Sequence, residues 1–200
     1  MLYSVELRSH PVFGIAKIGI SPYSANSFQR FLVTVAQAAI FVSMNIEIWS
    51  LGKENEKYIA EGMDNYFRKL KPWVSVALVT LQLPKKLATT DIERTKELEA
   101  ELILRRLQSQ HYLILLDERG KQLSSPQWAE HFQQLMNNGT RTLIILIGGA
   151  YGVSETVKQR ANQTWSLSRL VFPHQLVRLI IAEQVYRAFS ILNNSPYHHT

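Results

Sequence analysis

Cysteine is missing from this chain altogether. Disulfides, thiolate metal sites and cysteine nucleophiles are therefore excluded, and a reducing compartment is compatible with the composition. Charge is sparse too: 19% of the 200 residues are Asp, Glu, Lys or Arg, against 46% that are hydrophobic. That balance excludes a disordered polyelectrolyte and supplies apolar surface for one domain core. Long apolar runs are also lacking. Phe31–Ser43 is the nearest approach, well short of the ~20 residues a membrane helix needs. Two phosphate-binding signatures are absent. Gly148, Gly149 and Gly152 spell G-G-x-x-G rather than G-x-G-x-x-G, no ribose-binding acid follows at the usual distance, and no Gly-Lys-Ser/Thr completes a P-loop. The paired His198 and His199 have no third histidine or carboxylate at ligand spacing, so no metal is expected.

What is present is a modest basic excess, net +6 with a pI near 9.6. It favours a polyanionic partner such as nucleic acid. Residues 1–43 differ in kind from the rest, being Ser-, Ala- and Val-rich with Glu6 facing only Arg8, Lys17 and Arg30. Phe31–Val35 followed by Ala36-Gln37-Ala38 imitates a signal peptide weakly, but some thirty residues of the wrong composition precede it. The reading is that 1–43 is an extension outside the fold, that Met44 is the natural start, and that 44–200 is the functional domain.

From there strand and helix patterns alternate. Asn45–Gly52 reads as a first strand and Glu54–Lys71 as an amphipathic helix stopped by Pro72. Trp73–Leu83 reads as a second strand. Thr89 or Thr90 offers a helix N-cap with Glu93 in capping-box position, and the helix runs through a charged, solvated stretch to Arg105-Arg106. Tyr112–Leu116 and Thr142–Ile147 are continuous apolar runs, as in strands buried on both faces. Ser125–Asn138 and Ser154–Ala161 read as helices, Trp165–Leu170 as a last strand, and Pro173 opens a long final helix. The pattern predicts an α/β fold with a mainly parallel sheet flanked by helices.

Five clusters could carry chemistry. The glycines after Ile147 and the Leu116-Asp117-Glu118-Arg119-Gly120-Lys121 run both stand at strand ends, where open α/β sheets bind ligands. Each alone is equally a surface turn. Trp165-Ser-Leu-Ser-Arg-Leu-Val-Phe-Pro-His174 alternates small polar and apolar residues and could wall an adenine-sized pocket through backbone groups, or be an ordinary edge strand. Arg178, Glu183 and Arg187 interrupt an apolar helix, which suits a homodimer seam or an RNA-facing patch. The tail Pro196-Tyr197-His198-His199 suits base stacking and phosphate contact, or is a disordered end.

In this order and at these spacings the blocks resemble the knotted SPOUT methyltransferases, specifically the bacterial family (RlmH) that methylates N3 of a pseudouridine in large-subunit ribosomal RNA. The resemblance covers Met44–Thr200. Ala150 departs from the proline or serine that many relatives carry after the two glycines. The resemblance implies a C-terminal trefoil knot, a homodimer and cytoplasmic location. It implies S-adenosyl-L-methionine held at Leu116, Gly148, Leu167, Ser168, Arg169, Leu170, Val171 and Phe172. It implies a substrate in the interface stem-loop (helix 69) of 23S rRNA within the assembled 70S ribosome, without membrane or metal. Arg187, Tyr197 and His198 become the catalytic candidates: His198 as proton acceptor, Arg187 as stabiliser of the imidate, Tyr197 as positioner of the base. The alternatives are a non-catalytic ribosome-binding protein of the same fold and, less supported by the glycine pattern, a nucleotide-dependent oxidoreductase.

Overall fold

A computed structural model describes residues 44–52, 56–84, 90–149 and 151–197. The extension 1–43 and the residues His198, His199 and Ala150 lie outside the described residues. Five parallel strands, β1 (Asn45–Leu51), β2 (Ser75–Leu81), β3 (Tyr112–Gln122), β4 (Thr142–Ile147) and β5 (Gln163–Ser166), form one sheet in the order β2-β1-β4-β3-β5. The helices are α1 (Lys57–Leu70), α2 (Ile92–Arg106), α3 (Ser125–Asn137), α4 (Glu155–Arg160) and α5 (His174–Leu192). The expected α/β architecture is thus present.

Strand alternation sorts the core into two layers. Ile46, Ile48, Ile114, Leu143, Ile145 and Ile147 face one side, packing on Leu70 of α1, Phe132 of α3 and Phe189 of α5. Trp49, Leu113, Leu115, Ile144 and Leu146 face the other, against Ile103 of α2 and Val157 of α4. Successive residues of β4 bury on opposite faces, which explains its uninterrupted apolar run. Each such side chain contributes about 1.5–3 kcal/mol when fully buried. Gly62 lets α5 approach α1, since a Cβ there would lie 2.8 Å from Leu179 Cδ1.

Several boundaries differ from expectation for identifiable reasons. The cap of α2 is Asp91, whose carboxylate accepts from the backbone N–H groups of Glu93 and Arg94 at 3.0 and 3.2 Å. A full negative charge satisfies the helix end better than the Thr90 hydroxyl one position earlier. The last strand is Gln163–Ser166, not Trp165–Leu170: Ser168 accepts from Leu170 N–H at 3.0 Å and turns the chain away from the sheet. β3 does not end at Leu116. Trp165 is the register partner of both Leu116 and Lys121, so residues 117–120 leave the ladder and return to it. Gly120 permits this return, because a Cβ would sit 2.5 Å from the carbonyl carbon of Trp165. Most charges of α2 are solvated, paired along the helix as Arg94–Glu97 and Arg105–Glu101, but Lys96, paired with Glu93, and Glu99 are partly buried.

Candidate cofactor cleft and the surface at the end of the last helix

Beyond the carboxyl ends of β4 and β5, beside the break in the β3 ladder, lies a cleft of about 560 Å³. Leu116 is the last β3 residue before that break, Ile147 ends β4 and Ser166 ends β5, and all three line the cleft. Gly148 and Gly149 follow Ile147 into the wall, and a turn closes where Gly152 N–H donates to the Gly149 carbonyl at 2.9 Å. Gly152 has φ 79°, a conformation that favours glycine. Opposite stands the loop after β5. Ser166 Oγ donates to the Ser168 carbonyl at 3.0 Å, and this local bond with the Leu170–Ser168 one fixes the loop's curl. Leu167, Ser168, Leu170, Val171 and Phe172 all face the cleft. Leu170 and Val171 remain 69% and 86% exposed, so the rim is apolar and uncovered in a single chain.

Seven of the eight anticipated cofactor positions therefore converge on one cavity: Leu116, Gly148, Leu167, Ser168, Leu170, Val171 and Phe172. Arg169 does not; it is exposed and is not part of the wall. Five wall residues were not foreseen, among them Val153 and Lys158. Lys96 comes from α2, read in the sequence as a solvated helix face, and its side chain is only 23% exposed. Tyr151 and Val177 complete the set. Glu99, one turn after Lys96, lies behind the glycine turn, with Oε2 2.8 Å from where a Gly149 Cβ would be. Burial raises its carboxyl above the ordinary range.

The catalytic candidates sit elsewhere. Arg187 Nε donates to Glu183 Oε1 at 2.9 Å, and the Tyr197 hydroxyl donates to the same oxygen at 3.1 Å. The guanidinium lies 4.8 Å from the Tyr197 ring centroid, and Tyr186 meets that ring edge-on at 4.7 Å. Burial, with the hydroxyl's contacts to Tyr66 and Glu183, raises the Tyr197 pKa, so its phenol stays protonated at neutral pH. The hydrogen bond that Arg187 donates to Glu183 strengthens the hold of the guanidinium on its proton. His198 lies outside the described residues. Arg178, grouped with these residues by sequence, belongs to the interior: it is 1% exposed and donates to Ser50 Oγ at 2.7 Å and to the Leu51 carbonyl at 3.1 Å. It ties the start of α5 to the end of β1 and is not on the substrate surface.

His174 and Val177 at the start of α5 border the cleft, while Arg187 lies ten residues past Val177. At ~1.5 Å per residue that is about 15 Å along the helix. One chain thus carries a cleft and a charged aromatic surface that do not touch. Among the described residues no group of three His, Asp or Glu could hold a metal, and no helix is long and apolar enough to cross a membrane.

A parallel sheet with a glycine-walled cleft beyond its strand ends defines a cofactor-binding α/β domain. Comparison with known proteins narrows the class. The family described as "Predicted SPOUT methyltransferase" matches residues 44–198. "Ribosomal RNA large subunit methyltransferase H" of Flavobacterium johnsoniae is 42% identical over 156 residues, 78% of this chain and 99% of its own length. The protein of that name from Christiangramia forsetii shows the same identity and coverage. Its Enterococcus faecalis counterpart is 37% identical over 158 residues, with 78% and 99% coverage. The chain belongs to the SPOUT methyltransferase family.

Proposed function

We propose that this methyltransferase acts in the cytoplasm on 23S rRNA of the assembled 70S ribosome, methylating N3 of a pseudouridine in the helix 69 stem-loop, and works as a homodimer with a C-terminal knot. The relatives' names support the ribosomal RNA substrate. The observation that carries the reading is the convergence of Leu116, Gly148 and the Leu167–Phe172 loop on one cavity. Its volume is in the range of cofactor sites, and its wall offers backbone groups at glycines and a twice-turned serine loop, which suits an adenosine moiety.

S-adenosyl-L-methionine supplies a methyl group already activated on a sulfonium. What remains for the chain is orientation and proton management. Leu116, Gly148, Leu167, Ser168, Leu170, Val171 and Phe172 would hold the cofactor. Removal of the N3 proton leaves an imidate, and the Arg187 guanidinium, held by Glu183, is the group to stabilise that charge. Tyr197 keeps its proton and is committed to Glu183, so it serves as a positioning residue and not as a base. His198 is the candidate proton acceptor. Because about 15 Å of helix separates Arg187 from the cleft, these groups reach the cofactor of a second copy, not their own.

The test is methylation of purified 70S ribosomes with mass spectrometry of the product nucleosides. The expected product is N3-methylpseudouridine. Failure to bind S-adenosyl-L-methionine at millimolar concentration in calorimetry would instead indicate a ribosome-binding protein without turnover. For the base, His198→Ala should remove the rise in single-turnover rate over roughly pH 6–9 where a histidine titrates. An unchanged profile excludes His198.

A further inference from the structure

Cations are distributed unevenly over the surface. On α2 and α4 most are answered by neighbouring carboxylates, Arg94 by Glu97, Lys96 by Glu93, Arg105 by Glu101 and Lys158 by Glu155, while Arg106 lies over Trp49 and Arg160 donates to the Gln108 and His111 carbonyls. The end of α1 is built differently. Arg68, Lys69 and Lys71 are all exposed, fall within four consecutive positions, and take part in none of the ion pairs among the described residues. Among the described residues Arg68 donates to the Asp64 backbone carbonyl, at 3.4 Å.

These cations stand on an aromatic shelf. Lys69 Nζ lies 5.8 Å from the Tyr66 ring centroid and 5.5 Å from that of Tyr186. Tyr186 stacks on Trp73 with centroids 5.9 Å apart and meets Tyr197, whose ring carries Arg187 on its face. A chain of contacts therefore leads from the basic turn of α1 to the Arg187–Tyr197 surface on α5. Basic residues at a helix C-terminus also complement its dipole, but that effect requires neither an aromatic shelf nor continuity with a second element.

We propose that Arg68, Lys69 and Lys71 form a docking edge that grips the phosphate backbone of the RNA substrate beside the residue to be methylated. This rests on the ribosomal RNA reading above and deepens it by locating a contact outside the cleft and the tail. Three clustered, exposed, unneutralised cations match a polyanion and release its counterions on binding. Lys69, constrained by two rings, loses less side-chain freedom in doing so than a lysine on a bare helix face.

The test uses the triple variant Arg68→Gln, Lys69→Gln, Lys71→Gln in the full chain, with Arg105→Gln on α2 as control. Methyl transfer to purified 70S ribosomes is followed from about 50 to 200 mM KCl, with cofactor affinity, sedimentation and melting temperature alongside. The triple variant should lose about tenfold or more in kcat/KM, and its log–log salt dependence should become shallower by about 2. Its kcat at saturating ribosomes, its cofactor affinity and its melting temperature should match the wild type, and Arg105→Gln should change nothing. Three results overturn the proposal: an unchanged salt slope, a loss that tracks dissociation into monomers (the edge then serves a second copy), or a loss that tracks melting temperature (the edge then serves only the helix). If wild-type protein binds no cofactor, the methyltransferase reading fails separately, and co-sedimentation with ribosomes over the same salt range still decides whether the edge docks RNA.

Discussion

The cleft and the end of α5 are built by opposite means. The cleft is shaped by backbone: glycines where a side chain would collide, serine turns, and strand ends, with apolar groups over the rim. The end of α5 is shaped by head groups, with Glu183 holding Arg187 and Tyr197, the Arg187 guanidinium over the Tyr197 ring and Tyr186 edge-on against that ring. A backbone-built site tolerates chemical change in side chains but not added volume. A head-group site tolerates small volume changes but not the loss of a donor. On the function proposed above, one chain separates binding of a cofactor from handling of a proton and a developing charge.

The largest effect should come from adding one methyl group where backbone meets backbone. Gly120→Ala places a Cβ 2.5–2.8 Å from backbone atoms of Thr164 and Trp165, none of which can rotate away. Destabilisation of about 3 kcal/mol in denaturant unfolding is expected, with loss of cofactor binding. Wild-type stability in that variant would break the backbone half of the comparison. Next is Arg187→Ala, which should cost about 10²-fold in single-turnover rate, ~2.7 kcal/mol, while calorimetric cofactor affinity stays unchanged. A matching fall in affinity would show that the two regions are not separate.

Tyr197→Phe keeps the ring and removes one hydrogen bond to Glu183, so about 1 kcal/mol of stability should be lost, read by chemical denaturation. The smallest effect belongs to Glu99, whose folded pKa is raised by burial. The sign follows from linkage. A group with a raised folded pKa favours the native state below its unfolded pKa, and that contribution is lost as pH rises through the folded value. Glu99→Gln should therefore raise the melting temperature slightly at pH 7, and the gain should vanish in acid, near pH 4 and below. A gain that is equal at both pH values would mean that ionisation is not the cause.

The sequence disclosed these two regions unequally. β4 was legible to the residue because its apolar run is buried on both faces and stops at Gly148. β5 was shifted because Ser-Leu-Ser-Arg-Leu imitates strand alternation, and only local serine bonds show that the chain turns. The return of β3 at Lys121 is a tertiary event that leaves no periodic trace. Lys96 on the cleft wall is indistinguishable in sequence from its solvated neighbours. The grouping of Arg178 with Arg187 was avoidable. Nine residues of helix turn through about 180° modulo full turns, so the two arginines had to face opposite ways. The spacing of Glu183 and Arg187, one turn apart, was the signal that they pair.

That separation sets the most direct test. A chain with a filled cleft, Gly148→Leu, verified by calorimetry to bind no cofactor, is mixed with a chain carrying Arg187→Ala, and methylation of 70S ribosomes is measured after subunit exchange. Each variant alone should be strongly impaired. Activity should return on mixing, because one intact cleft then meets one intact Arg187–Tyr197 surface from the other copy. A mixture as inactive as its components would contradict the account and place both halves of the chemistry in a single chain.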